Sequence, residues 1–367
     1  MQVIKRVLTR VFMKLFKGTQ SYHRNTVSGG EVWLKYALMP NNIANFLTSI
    51  NEAARLSAAL CRKVQNELLL SMDKSDSSPV TIADYGCQAL IHRAIMLNFP
   101  EHGLISEEGS EHLRTNASDS ETSFIVRLVS ESLGENVTIE QICDWIDHRG
   151  GSDSEFIWSI DPIDGTKGFL RKAQYAIAIG LLQDRKPVGG VLVCPSLPYD
   201  LDDADSPVGV LMIGHGPGTA MKFAIDAEHS ASVSSNTVTD SHQMRVLGSV
   251  ESAHGDPTLV TGMMAASDID GGFVRYDSQA KYAVIAMGGA EMYVRPRSKP
   301  DYRENIWDHV AGVAICEAAG AVVTDVDGKA LDFSHGEKLI KNRGVLAAAN
   351  AVAHKLAIDG IKATESI

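Results

Sequence analysis

The segment Trp158-Ser159-Ile160-Asp161-Pro162-Ile163-Asp164-Gly165-Thr166-Lys167-Gly168-Phe169 constrains this chain more than any other stretch. Phe156 to Ile160 reads as a short buried strand, and Asp161 leaves its end. Pro162 stiffens the turn, and Asp164 follows three residues after Asp161. A fold that accepts this segment directs both carboxylates into one small volume, which is costly unless cations neutralise them. Hard oxygen donors with no clustered Cys or His point to Mg²⁺ or a similar ion. Gly165-Thr166-Lys167-Gly168 then turns into a helix start, where free N–H groups and the helix dipole favour a phosphate. Divalent metal beside a phosphate cradle implies phosphoryl chemistry.

Three further segments share the design of a carboxylate where a strand or loop meets a helix. They are Ser78-Pro79-Val80-Thr81-Ile82-Ala83-Asp84, Ser106-Glu107-Glu108-Gly109 and Trp307-Asp308-His309-Val310-Ala311-Gly312. Taken singly, each segment is better read as plain structure: Asp84 and Asp308 as helix caps, Glu107-Glu108 as a solvated turn and Asp161 to Gly165 as a plain turn. Four together, in this order, point to a shared site.

Strands and helices alternate along the body, which makes the class mixed α/β. The apolar spacing predicts a helix over about 41–70, with Ile43, Phe46, Leu47, Ile50, Ala54 and Leu60 on one face. A polar break at 72–79 precedes a second helix starting near Asp84 as its N-cap. Strands are expected at 103–106, 156–160, 175–182 and 188–194, with a polar insertion bearing helical stretches over 109–155. The Asp/Ser/Gly-rich stretch 196–242 reads as excursion loops with short strands. Beyond it come a strand at 246–249, a helix at 278–287, a strand at 291–295, a helix opening at Trp307-Asp308, a strand at 320–324 and a closing helix near 350–358. The expected division is 1–30 as a targeting segment, 31–244 as an N-terminal lobe with the metal site and 245–367 as a C-terminal lobe with nucleotide contacts.

The formal charge is −11, from 34 basic and 45 acidic side chains. Residues 1–30 carry Lys5, Arg6, Arg10, Lys14, Lys17 and Arg24 with no acid, so the remainder holds about −17. So acidic a body lacks the positive field that nucleic-acid polymers require. No apolar run approaches the ~18 residues of a stable membrane span. Val3, Ile4, Val7, Leu8, Val11, Phe12, Leu15 and Phe16 form a helical stripe with the basic residues off it, the pattern of an organellar transit peptide. Because no Ser precedes Ser21, a mitochondrial address is favoured over a plastid one; without that role the protein is expected in the cytosol. A helix lying on a membrane or docking on the body are the alternatives. Five cysteines without CxxC spacing argue against a zinc site or disulfide framework, leaving redox control through one pair open.

Together the four segments resemble the lithium-sensitive, Mg²⁺-dependent phosphatases of the inositol monophosphatase superfamily, from about Asn41 to the C-terminus. Within it the chain is similar to the 3′(2′),5′-bisphosphate nucleotidases. Thr166 is followed by Lys167-Gly168-Phe169-Leu170-Arg171, where inositol monophosphatases usually have Thr-Asn-Phe. The 54 positions from Glu107 to Asp161 suit the nucleotidases' insertion, and Asp277-Ser278-Gln279-Ala280-Lys281-Tyr282 resembles their nucleotide-binding helix. The resemblance implies a five-layered αβαβα sandwich of the sugar-phosphatase type and removal of the 3′-phosphate from 3′-phosphoadenosine 5′-phosphate. It implies that Glu107, Asp161, the Ile163 carbonyl, Asp164 and Asp308 hold two or three Mg²⁺ ions, while Asp84 and Thr166 activate the attacking water. Gly165, Thr166, His254, Ser278, Lys281, Arg295 and Asp308 would contact a small nucleotide bisphosphate, His254 near the adenine. A monomer is the expected state.

Three other readings compete. An inositol phosphate phosphatase of the same superfamily is disfavoured by Thr166-Lys167-Gly168 and by the insertion. A non-catalytic nucleotide-binding or redox-sensing relative conflicts with the presence of every expected ligand. Asp325-Val326-Asp327-Gly328 after an apolar strand suggests a haloacid-dehalogenase-type phosphatase, but Lys329 stands where that family needs Thr or Val, and a hairpin turn explains it better.

Overall fold

The computed structural model describes residues 42–67, 79–151, 153–250 and 257–366; residues 1–30 and His254 lie outside them. Among the described residues the first two helices are α1 (Asn42–Glu67) and α2 (Pro79–Asn98), followed by β1 (Gly103–Ser106). The polar insertion folds as α3 (Glu111–Thr115), α4 (Asp119–Leu133) and α5 (Ile139–Asp147). Ser118 caps α4 by accepting from the Glu121 N–H, and Thr138 with Gln141 closes a capping box on α5. The chain continues through β2 (Phe156–Asp164), α6 (Thr166–Leu170), β3 (Ala176–Gln183), β4 (Lys186–Pro198), β5 (Val208–Gly214), β6 (Met221–Ala224) and β7 (Ser230–Ser232). Then come β8 (Val246–Gly248), α7 (Pro257–Ala266), β9 (Phe273–Arg275), α8 (Ala280–Ala286) and β10 (Met292–Arg295). The last elements are α9 (Val310–Ala318), β11 (Val322–Thr324), β12 (Val345–Ala348) and α10 (Ala351–Glu365).

β1 to β7 form one sheet in sequence order, with only β1 and β2 parallel. The second sheet runs β11-β12-β10-β8-β9. Strand periodicity of two sorts the side chains. Trp158, Ile160, Ile177, Ile179, Val191 and Val193 face a core shared with α1, α2, α4 and α5. Ile157, Ala176, Ala178, Leu192 and Cys194 face α8 and α9, which also contact Leu247, Tyr293, Val345 and Ala347 of the second sheet. The far side of that sheet, through Val246, Met292, Val294 and Leu346, buries α7 and α10. Helix, sheet, helix, sheet and helix make the five-layered αβαβα sandwich.

α9 lies unusually close to the large sheet because the strands beneath it carry glycine. A Cβ on Gly180 would stand 2.4 Å from Val310 Cγ1, and one on Gly190 would stand 2.6 Å from the Ala311 carbonyl oxygen. The close fit fixes the N-terminal end of α9, just after Asp308.

Two sequence expectations are corrected. α2 begins at Pro79, not at Asp84, since proline suits the first helical position; Asp84 is therefore an interior, buried helix residue and caps nothing. The stretch 196–242 is no mere excursion, because Val208–Gly214 is a buried strand integral to the large sheet. Asp325 accepts from the N–H groups of Asp327 and Lys329 at 3.0 and 2.8 Å, a closed turn in keeping with the hairpin reading. All five cysteines are buried and free, and Cys61 and Cys87 meet at 3.3 Å between α1 and α2.

Candidate active site

β2 carries the first two acids past the edge of regular pairing. Asp161 pairs with Ala178 and Asp164 with Ala176, and the register shifts between them. Without that shift, residues three apart would point to opposite faces of the sheet; the bulge returns Asp164 to the face of Asp161. The Ile163 N–H donates to Asp161 Oδ1 at 3.1 Å and fixes the turn. β1 runs parallel to β2 and its last residue, Ser106, pairs with Ile160, so the Glu107 N–H donates to the Ile160 carbonyl at 3.3 Å and Glu107 arrives beside Asp161. Asp308 enters from the opposite side on the loop ahead of α9.

These groups line one cavity of about 400 Å³, together with Ile163, Gly165, Thr166, Ser278, Lys281 and Arg295. The structure therefore brings together every predicted site residue that it describes, except Asp84, which is buried behind the cavity wall on α2. Gly165 adopts φ +89°, and a Cβ there would meet Ser278 Cβ at 2.9 Å, so glycine is required where β2 turns into α6. Ser278 itself holds a left-handed φ of +64°, with its hydroxyl accepting from the Ala280 N–H.

Charge crowding dominates the site. Burial, then the charges of Glu107, Asp164, Asp308 and Asp84, hold the Asp161 carboxyl far above the usual range. Glu107 is accessible as a residue, but its carboxyl turns inward onto Asp161; burial and then Asp308 push it up to about 7. Asp308 rises to about 6 through burial, against the pull of Arg295. Asp84 is raised by burial and by Glu108 and Glu107. Four carboxylates that destabilise one another's charged forms, with oxygen donors alone and no Cys among them, fit hard divalent cations well.

The basic residues face inward. Arg295 binds Glu304 at 2.8 Å and lies 3.6 Å from Asp308. Lys281 is buried, donates to the Tyr276 carbonyl at 3.2 Å and sits over the Tyr293 ring. Burial lowers its amine to about 8, while Asp164 works in the other direction. Glu304, Asp308 and His309 also converge, with ligand atoms within 4.8 Å. Arg295 already supplies a cation to that trio, and His309 Nδ1 lies 2.8 Å from the Tyr282 hydroxyl.

Sequence reasoning missed the residues that hold these groups in place. Gln88 grips Glu108 at both backbone atoms, donating to its carbonyl at 2.7 Å and accepting from its N–H at 3.1 Å. Its signal was the i+4 spacing from Asp84, which puts both on one helix face. Arg171 pairs with buried Asp277 at 2.6 Å and so joins the Thr166–Arg171 and Asp277–Tyr282 motifs. Tyr302, Glu304 and Asn305, on the loop before Asp308, complete the cavity wall.

The profile of the inositol monophosphatase family matches residues 43–365. A 3′(2′),5′-bisphosphate nucleotidase of Emericella nidulans is 40% identical over 333 residues, covering 82% of this chain and 93% of that protein. Its counterpart in Schizosaccharomyces pombe is 34% identical over 336 residues, covering 86% and 93% respectively. Among solved structures, an inositol monophosphatase from Anabaena superposes with a TM-score of 0.57 at 20% identity, covering 88% of this chain and 97% of its own. The sandwich, the bulged Asp161–Asp164 turn and these likenesses agree: the chain belongs to the inositol monophosphatase family, where it groups with the 3′(2′),5′-bisphosphate nucleotidases.

Proposed function

We propose that the protein is a Mg²⁺-dependent phosphatase that removes the 3′-phosphate of 3′-phosphoadenosine 5′-phosphate, releasing AMP and inorganic phosphate. The observation that carries this reading is the single cavity in which Glu107, Asp161, Asp164 and Asp308 confront Ser278, Lys281 and Arg295. One side suits cations bound to a reacting phosphate, and the other suits a second anionic group of the same small substrate. The two relatives named as bisphosphate nucleotidases in Schizosaccharomyces pombe and Emericella nidulans match 86% and 82% of the chain.

Glu107, Asp161, Asp164, Asp308 and the Ile163 carbonyl would hold two or three Mg²⁺ ions. Bound Mg²⁺ neutralises phosphate charge and acidifies water. Asp84 accepts a proton from the attacking water, a role helped by the burial that raises its affinity for protons. Thr166 orients that water at the mouth of α6. The water oxygen bonds to the 3′-phosphorus as the bond to O3′ breaks; O3′ takes a proton from solvent water, and Asp84 returns to solvent the one it accepted. Lys281, Arg295 and Ser278 hold the 5′-phosphate and ribose side, and His254 attends the adenine.

The test is phosphate release from 3′-phosphoadenosine 5′-phosphate and from inositol monophosphates in parallel, with Mg²⁺ and with or without Li⁺. Selective, Li⁺-inhibited turnover of the nucleotide is expected. Preference for the inositol compounds would overturn the substrate assignment while keeping the metal site. Residues 1–30 are proposed to direct the protein to mitochondria; fused to a fluorescent protein, they should carry it there, and diffuse cytosolic signal would refute that role.

A further inference from the structure

We infer that Gln279 is a positioning residue that sets the distance between the two halves of the acid cluster. The inference rests on the reading of that cluster as a divalent metal site. Gln279 is buried and does not line the cavity, although its neighbours Ser278 and Lys281 do. It nevertheless touches both ligand-bearing elements. Its backbone N–H donates to Asp164 Oδ2 at 2.6 Å. Its side-chain Nε2 donates to the Trp307 carbonyl at 2.9 Å, and Oε1 accepts from the Gly312 N–H at 3.1 Å.

Each contact has a local cause. The first turn of a helix leaves N–H groups without partners inside the helix. At α9 the N-cap residue, His309, makes no side-chain cap, so the Gly312 N–H is taken up by Gln279, the N-cap residue of α8. The Trp307 carbonyl belongs to the residue immediately before Asp308. One side chain therefore grips α9 on one side of Asp308 and the peptide on the other, while its own backbone grips Asp164. Only a primary amide with this reach offers a donor to the carbonyl and an acceptor to the N–H at once. Methionine matches its volume and supplies neither.

A partner that orients metal ligands without touching the metal typically governs affinity by 10–100-fold. Gln279→Met, in the full-length protein, is therefore expected to weaken Mn²⁺ binding by about tenfold or more, read by electron paramagnetic resonance of free Mn²⁺. At saturating metal the KM for nucleotide should move less than about threefold, since Gln279 touches no substrate. Gln279→Asn, too short to reach both partners, keeps a polar group in place should the methionine variant fold poorly, and the same weakening is expected. Gln65→Met is the control: that amide is also buried and donates to a carbonyl, of Phe169 at 2.8 Å, but reaches no acid. It should lower the melting temperature without shifting Mn²⁺ affinity. Wild-type Mn²⁺ affinity in folded Gln279→Met and Gln279→Asn would overturn the inference alone. Failure of the wild-type protein to bind Mn²⁺ would overturn the metal reading and this inference with it.

Discussion

Adjacent glycines on β4 provide a sharp test of how the fold places Asp308. Gly189 and Gly190 point to opposite faces of the large sheet. A Cβ at Gly190 would stand 2.6 Å from the Ala311 carbonyl oxygen and 3.0 Å from its Cα. Against an ordinary contact of 3.4 Å the shortfall is about 0.8 Å, and the obstacle is helix backbone that cannot rotate away. Gly190→Ala must therefore push α9 outward by most of that distance, carrying the Asp308 loop with it. Overpacking of this kind costs about 1–3 kcal/mol of stability. A displacement near ~1 Å at a reacting centre lowers turnover by up to about 100-fold. A Cβ at Gly189 would meet only the side-chain tips of Ile43 and Leu47, both at 3.0 Å. Those tips can turn, and alanine also restricts the unfolded chain, so Gly189→Ala should change stability by less than about 1 kcal/mol. The assay pairs thermal melting with phosphate release over a Mg²⁺ titration. Gly190→Ala should lose at least about tenfold in turnover and need more Mg²⁺, while Gly189→Ala behaves as wild type. Equal behaviour of the two variants, or full activity in Gly190→Ala, would refute the account of α9 placement.

Asp84→Asn should keep the melting temperature, because it removes a buried charge without changing volume, yet lose about 10²–10⁴-fold in turnover; near-normal turnover would sink the assigned base. Lys281→Met should raise the KM for nucleotide by about tenfold with little loss of stability, since the buried amine is already desolvated; an unchanged KM would remove Lys281 from the substrate wall. Metal-free protein should lose stability as pH rises. Burial and Asp308 hold Glu107 near 7, and burial holds Asp308 near 6, so the folded state keeps protons that the unfolded chain releases above about 4. Melting temperatures should therefore fall between about pH 5 and 7.5, and saturating Mg²⁺ should suppress the fall; a rise with pH in metal-free protein would contradict the crowding of these acids.

The acids were legible because each sits beside residues that punctuate the backbone. Pro162, Gly165 and Gly168 announce a tight strand-to-helix turn, and a polar group on such a turn has no packing role. The alternating strands were legible by period, although Val208–Gly214, buried on both faces from Gly209 onward, reads as an apolar run within an acidic, glycine-rich stretch. The bulge that brings Asp161 and Asp164 onto one face left no mark in the sequence beyond Pro162, since register belongs to the strand pair. Asp84 resembles a helix cap in sequence, but Pro79 carries the better signal for the start of α2. Lys281 and Arg295 can be nominated from sequence, but the pairing of Arg295 with Glu304 and Asp308 and the seat of Lys281 against Tyr276 and Tyr293 depend on separate elements meeting. Gln88 is an ordinary helix residue by propensity and Gln279 sits at the N-cap of α8 without capping it, so only their partners reveal what they do.

The measurement that bears most directly on the central claim is the fate of 3′-phosphoadenosine 5′-phosphate in ¹⁸O-labelled water with Mg²⁺. The geometry predicts AMP that retains its 5′-phosphate and carries no label, with ¹⁸O found in the inorganic phosphate. Adenosine 3′-phosphate as product, label in the ribose, or no phosphate released at all would contradict it.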